Sequence, residues 1–244
     1  MRVLVVVAHP DDECNGMGGT IVRLLSAGHE VQVVVMTRHP RDGERREAEA
    51  TAAAHLVGAA SPRFLNEPDG DLRVAADVQR KLAASLVPEP DAVFTLWGID
   101  VHPDHRNTSS LVLNHCLRRG VDTELYCMEV CASGRSSTSI RPQSLAFRPT
   151  HYVDVTDVWN LKKAMQACHA SQDPDGMWAG VESMMRNRGR ESGFQFAEAF
   201  VRLTRSGAAP AWIEALFIPT RYRLPRGIGA DFDEGQAVTD PPRN

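Results

Sequence analysis

Short apolar runs alternate with longer amphipathic or Ala-rich stretches along most of the chain. The first run, Val3-Leu4-Val5-Val6-Val7, is β-branched and unbroken by polar residues, as expected of a strand buried on both faces of a parallel sheet. Further strands are predicted at 30–36, 62–65, 91–97, 123–129 and 151–155. Helices are predicted at 16–27, 45–57 (closing at Gly58), 74–86 (closing before Pro88), 104–119 and 157–170, the last with Asp157 as N-cap. Beyond this the pattern loosens. Residues 132–144 read as a polar loop rich in Ser and Arg, and 171–192 as a long loop or lid. Residues 191–204 read as a last helix, and 212–218 as an edge strand. The alternation implies an α/β fold: a Rossmann-like, doubly wound, mostly parallel sheet with helices on both faces. One domain is expected over 1–223, followed by a flexible tail at 224–244 rich in Pro, Gly and Asp.

Composition narrows the classes. The chain has 244 residues, 43% hydrophobic and 24% charged, with a net charge of −4. That is enough to bury a full α/β core, and without a basic excess nucleic acid is not an expected partner. No apolar run reaches the roughly 18 residues of a membrane span, and Met1-Arg2 leads directly into a strand with no signal-like segment. The five Cys contain no CxxC; Cys127 and Cys131 lie four apart with no second pair to complete a zinc site. Reduced thiols and a cytoplasmic location are expected.

Two clusters carry the chemistry. Ala8-His9-Pro10-Asp11-Asp12-Glu13 follows the first strand, and His102-Pro103-Asp104-His105 follows the strand at 91–97. Both sit beyond carboxyl ends of strands, the edge where open α/β sheets place ligands. A lone His there is usually a polar loop residue and a lone Asp a helix cap; it is the joint pattern that points to a metal. His9 and Asp12, three apart, can face one ion, and His105 can supply a third ligand. Three protein ligands with a position left open mark a catalytic rather than a structural site. Zinc lowers the pKa of a bound water to about 7. Asp11 could then act as general base, and His102 as oxyanion partner or acid, with Asp104 orienting His102 and favouring its protonated form. Turning Asp11 and Asp12 toward different parts of a pocket requires a bend, for which Gly16 and Gly18-Gly19 supply backbone freedom. These parts suit hydrolysis of an amide or ester. His29, His39, His55 and His115 lack such company.

Three other readings compete with this one. Two His and one carboxylate also form the triad of iron(II) oxygenases, although the spacing here is His-x-x-Asp on an α/β sheet and Asp11 is extra. Gly16-x-Gly18-Gly19 after a strand hints at nucleotide binding, but lacks the GxGxxG spacing and is crowded by carboxylates. A non-catalytic sugar-binding relative would be expected to lose a ligand or the base.

The same residues resemble the PIG-L and LmbE-like zinc-dependent N-acetylglucosaminyl deacetylases. Residues 8–13 with Gly16-Met17-Gly18-Gly19-Thr20, and His102-Pro103-Asp104-His105, match the family's two main motifs. Arg46, Glu49 and Gly58 resemble its Arg-x-x-Glu helix, and Asp69-Gly70 its Asp-Gly turn. His169-Ala170-Ser171-Gln172 and Phe196-Ala197-Glu198-Ala199-Phe200 resemble two later segments. The likeness spans roughly 1–204. It implies His9, Asp12 and His105 as zinc ligands (ferrous iron or another divalent metal also serving), Asp11 as base, and His102 aided by Asp104 as oxyanion or acid partner. Arg46 and Asp69 would face the polar groups of an N-acyl amino-sugar substrate. An amidase acting on a sugar-amine or thiol conjugate, or on a non-sugar N-acyl metabolite, is the related alternative. Glu13 and Glu49 are expected as structural partners of Arg46, and His169 as a structural hydrogen-bonding residue. Met177, Trp178, Met184, Met185 and Phe194 are expected to pack in the core, or else to line an acceptor pocket or a homo-oligomer contact. Arg186, Arg188 and Arg190 hint at a nearby anion, with a solvated loop as the plainer reading.

Overall fold

A computed structural model describes residues 1–119, 123–130, 147–203 and 209–219. The strands are β1 (Arg2–Val7), β2 (Glu30–Arg38), β3 (Arg63–Pro68), β4 (Ala92–Leu96), β5 (Glu124–Met128), β6 (His151–Asp154), β7 (Ala197–Arg202) and β8 (Ile218–Pro219). The helices are α1 (Asp12–Ser26), α2 (Gly43–Leu56), α3 (Ala76–Ser85), α4 (Pro103–Arg119), α5 (Trp159–Ala167), α6 (Pro174–Ser192) and α7 (Ala211–Glu214). One eight-stranded sheet has the order β3-β2-β1-β4-β5-β7-β6-β8. The first five strands in that order run parallel, and β7, β6 and β8 add antiparallel pairings. The mostly parallel doubly wound sheet expected from the sequence is present.

β1 lies at the centre because it can be buried on both faces. Val3, Val5 and Val7 enter one core with Met17, Ile21 and Leu24 of α1, Met165 of α5 and Val181 of α6. Leu4 and Val6 enter the other, with Val78 and Leu82 of α3 and Leu111 and Val112 of α4. The chain builds β2 and β3 on one side of β1, then returns to lay β4 against its other side. That reversal opens a crevice between the carboxyl ends of β1 and β4, where the two His/Asp clusters emerge.

Several expectations for the second half need correction. Residues 174–192 are not a loop but helix α6. Asp173 accepts from Gly176 N at 3.3 Å, Pro174 fills the first turn, and Gly193 closes the helix at φ 87°. Met177, Trp178 and Met185 are buried in the main core, while Arg186, Arg188 and Arg190 lie on the helix rather than on a solvated loop. The expected helix at 191–204 is instead strand β7, paired with β5 and β6. Its Ala and Glu residues favour a helix, but Phe200 faces one core and Ala197 and Ala199 another cluster, so burial on a pleat overrides propensity. Asp157 is not the cap of α5, whose N-cap position is Val158; it pairs with Arg23. Of 212–218, most is the short helix α7 and its exit, and only Ile218 joins the edge strand. The polar stretch at 132–144 and the tail from 224 lie outside the described residues. Among the described residues, no helix is long and apolar enough to cross a membrane.

Candidate metal and catalytic site

β1 ends at Val7, and four residues later Asp11 adopts φ 115°, ψ −25°, an uncommon conformation for a residue with a side chain. This turn sends the chain straight into α1 at Asp12, so the bend sits at Asp11 itself rather than at the glycines expected to supply it. Gly16 and Gly19 serve close packing instead. A Cβ on Gly16 would meet Met128 Sδ at 2.7 Å, and one on Gly19 would meet Val155 at 2.6 Å.

His9, Asp12 and His105 converge. His105 Nε2 lies 3.3 Å from His9 Nδ1 and 3.3 Å from Asp12 Oδ1, and His9 Nδ1 lies 3.5 Å from Asp12 Oδ2. Asp12 Oδ2 also accepts from His9 N at 2.9 Å, which fixes that carboxylate. All three residues are buried. Those separations are close to the edge of a tetrahedron built on metal–ligand bonds of about 2.0–2.1 Å, so the donor set fits a zinc-sized ion. His102 brings a third imidazole against both, with ring centroids 4.6 Å from His9 and 5.0 Å from His105.

A ring of acceptors holds these ligands. His9 Nε2 faces Asp104 Oδ2 at 3.2 Å and Asp69 Oδ1 at 3.3 Å; His105 Nδ1 faces Asp100 Oδ2 at 3.3 Å. Carboxylates behind metal-facing imidazoles set the tautomer and orient the ring. Asp104 also accepts from Gly70 N at 2.7 Å and Leu72 N at 3.1 Å, tying the loop after β3 to the site. Asp104 was expected to orient His102 through its carboxylate; it meets His102 instead through its backbone, N–H donating to Nδ1 at 3.2 Å. With Nδ1 accepting, neutral His102 carries its proton on Nε2. Arg46 reaches Asp69 Oδ2 and Pro10 O, each at 3.4 Å. The expected Glu partners of Arg46 lie elsewhere. Glu13 accepts from Asp11 N at 3.2 Å, and Glu49 accepts from Ser171 N at 3.0 Å. His169, fully buried, stands behind the site with Nε2 3.4 Å from Cys14 Sγ.

Electrostatics follows from this packing. Burial alone would lower His9, but Asp104, Asp12 and Asp69 outweigh it and push it up to about 12. His105 follows the same balance, burial against Asp12 and Asp100, and reaches about 10. Carboxylates on several sides of the two imidazoles thus favour positive charge between them. His102 is lowered, by burial and then by His9 and His105; Asp104 favours its protonated form, as expected, but does not outweigh them. The Asp11 carboxyl is raised by burial and by Asp12, with Arg46 pulling the other way.

The sequence reading missed Asp100, two residues before His102, whose Oδ1 accepts from His102 N at 2.8 Å. It also missed Lys162, the buried partner of Glu198. A carboxylate beside a metal motif was the available signal for Asp100; nothing local marked Lys162.

Comparison with known proteins gives one family match and several relatives. The family model for PIG-L, the GlcNAc-PI de-N-acetylases, matches residues 4–116, which contain both His/Asp clusters. The chain is 26% identical over 218 residues to a diacetylchitobiose deacetylase of Thermococcus kodakarensis, covering 81% of each. It superposes on the N,N'-diacetylchitobiose deacetylase of Pyrococcus horikoshii with a TM-score of 0.68 and 26% identity, covering 83% of each chain. The 4-carboxy-2-hydroxymuconate hydratase GalB of Pseudomonas putida, at 21% identity and a TM-score of 0.70 over 86% of this chain and 98% of that one, shares the fold alone.

Proposed function

We propose, on the match of residues 4–116 to the PIG-L family model, that this chain is a metal-dependent hydrolase removing an N-acetyl group from an amino-sugar-containing small molecule in the cytoplasm. The observation that carries this reading is the convergence of His9 Nδ1, His105 Nε2 and the Asp12 carboxylate within 3.5 Å of one another. Its relatives include deacetylases of N-acetylated sugars. His9, Asp12 and His105 would hold zinc, with ferrous iron or another divalent ion as the alternative occupant. Bound there, the metal would polarise the amide carbonyl and acidify water.

The remaining steps belong to the chain's own groups. Asp11, next to Asp12 in the turn before α1, takes the proton of the attacking water and later passes it to the departing amine. A carboxyl raised by burial suits that two-way transfer. His102 donates from Nε2–H to the oxygen on which negative charge develops. Asp104, Asp69 and Asp100 keep the His9 and His105 rings in place. Arg46 and Asp69 sit beside them with a guanidinium and a carboxylate suited to sugar hydroxyls. The products are a carboxylate and a free amine, balancing one amide and one water.

The test is metal content by mass spectrometry, paired with amine release from a panel of N-acetyl amino sugars before and after chelation. About one divalent ion per chain, with amine release lost on chelation and restored by zinc, is expected. Metal without release across acyl groups and conjugates would move the reading to another reaction on this fold, hydration included. No metal after reconstitution would overturn it.

A further inference from the structure

Helix α1 is two helices joined at a break: Met17 has φ −146° and ψ 24°, far from helical values. A break interrupts the hydrogen-bond ladder, leaving carbonyls before it and N–H groups after it without their usual partners. One buried ion pair meets both sets. Lys162 Nζ donates to Cys14 O and Asn15 O, each at 2.8 Å. Glu198 accepts from Gly19 N at 2.9 Å and Thr20 N at 2.7 Å, and from Thr20 Oγ1 at 2.5 Å. Lys162 and Glu198 meet each other at 2.7 Å, and both are fully buried. The cation thus sits at the carboxyl end of the first half-helix and the anion at the amino end of the second, each matching the local helix dipole.

The first half-helix is Asp12 to Gly16, barely more than one turn. A turn that short has no stability of its own. It carries Asp12 and Glu13, and Asp11 is its N-cap. Its direction therefore depends on what holds its carboxyl end, and Lys162 holds two carbonyls there. Lys162 comes from α5 and Glu198 from β7, so the pair anchors the catalytic turn to elements remote from both His/Asp motifs.

We propose that Lys162 and Glu198 are positioning residues: the pair sets the break in α1 and so aims the Asp11 and Asp12 carboxylates. This rests on the hydrolase reading above. A buried ion pair as such is weak evidence of stabilisation, because paired replacement by uncharged residues is often neutral for stability. The wiring of this pair distinguishes the two roles. A merely structural pair can be replaced without penalty to the site once stability is restored. A positioning pair cannot, because without Lys162 the Cys14 and Asn15 carbonyls of the break lose their donor whether or not Glu198 is neutralised.

The experiment uses the full chain with Lys162→Met, Glu198→Gln, the double variant and the conservative Thr20→Val, which removes only the hydroxyl contact to Glu198. Thermal unfolding, zinc affinity by chelator competition, hydrogen exchange at the Gly19 and Thr20 amides without metal, and kcat and KM with zinc saturating are read for each. Lys162→Met and the double variant are expected to bind zinc about 10- to 100-fold more weakly. They should lose about 10²-fold in kcat with KM little changed, and the variants that replace Glu198 should lose protection at the Gly19 and Thr20 amides, which then meet an uncharged acceptor. The double variant should regain thermal stability relative to Lys162→Met without regaining kcat. Thr20→Val, a near-isosteric change, should show a smaller fall in kcat in the same direction. Folded variants with unchanged zinc affinity and kcat would overturn the proposal, as would a kcat recovered in step with stability in the double variant, or a Thr20→Val indistinguishable from the original chain. If the unsubstituted chain binds no metal and releases no amine, the hydrolase reading fails first and takes this one with it.

Discussion

Asp104 Oδ2 lies 3.2 Å from His9 Nε2, while the other ring nitrogen, Nδ1, faces Asp12 and His105. The carboxylate holds a proton on Nε2 and leaves the Nδ1 lone pair for a cation. Asp104→Asn keeps an oxygen for the Gly70 and Leu72 N–H groups but removes the charge behind His9. Zinc affinity should fall about 10- to 100-fold, measured by chelator competition. An unchanged affinity would mean that Asp104 serves the loop after β3 and not the metal.

Asp11→Asn separates metal binding from proton transfer. The Asp11 carboxylate makes no part of the His9–Asp12–His105 cluster, so metal content should stay near that of the unsubstituted chain. Loss of a general base should lower kcat by about 10²- to 10⁴-fold. A variant that keeps most of its kcat would remove Asp11 from the proton-transfer role, and one that loses its metal would make it a ligand. Metal analysis and steady-state kinetics on one preparation distinguish these outcomes.

Metal binding should release protons. His9 is pushed up to about 12 and His105 to about 10, against roughly 6.5 for an unperturbed imidazole. In the metal-free chain the carboxylates around them favour the charged form of both beyond that of a free imidazole. Because the folded values are raised, their contribution to stability is fully present below about pH 6.5 and is lost as pH rises through about 10 and then about 12. A divalent cation replaces those protons. Calorimetric titration with zinc at pH 7, in buffers of different ionisation enthalpy, should show net proton release on metal binding. Metal-free stability should decline between neutral pH and pH 10 more steeply than in His105→Ala. Release of no protons would contradict the ligand assignment.

How much of this was legible in the sequence depended on what fixed each element. β1 and β4 need no context: an apolar β-branched run bounded by polar clusters reads as a buried strand, and the His/Asp clusters fell at the correct edge because that order of elements imposes a crevice there. β7 was misread because Ala197, Glu198 and Ala199 favour a helix, and only the partner strands and the buried Lys162 make an extended Glu198 the better solution. α6 was misread for the opposite reason. Its Gly176, Gly180 and Gly189 weaken helix propensity, although Asp173-Pro174 and Gly193 were valid start and stop signals. The spacing grouped His9, Asp12 and His105, which the fold brings together, but the carboxylates behind the imidazoles could not be read from it. Asp69 and Asp100 reach their histidines across loops whose path only the fold determines.

Arg46 offers a test in which the direction of a pH shift decides. Burial and Asp12 raise the Asp11 carboxyl, and Arg46 is the largest influence lowering it. Removing that charge in Arg46→Met should raise Asp11 further, so the acid limb of the kcat/KM profile should move to higher pH. Less of the enzyme then holds Asp11 as carboxylate at a given mildly acidic pH, and the loss of activity should be greatest there and smallest at alkaline pH. Arg46→Lys retains the charge while giving up the planar two-nitrogen reach to Asp69 and Pro10 O. It should leave the limb nearly in place and show its cost in KM. If both variants lose activity equally at every pH, Arg46 acts through substrate contact or packing alone. A limb that moves to lower pH in Arg46→Met would exclude Asp11 as the group titrating in it.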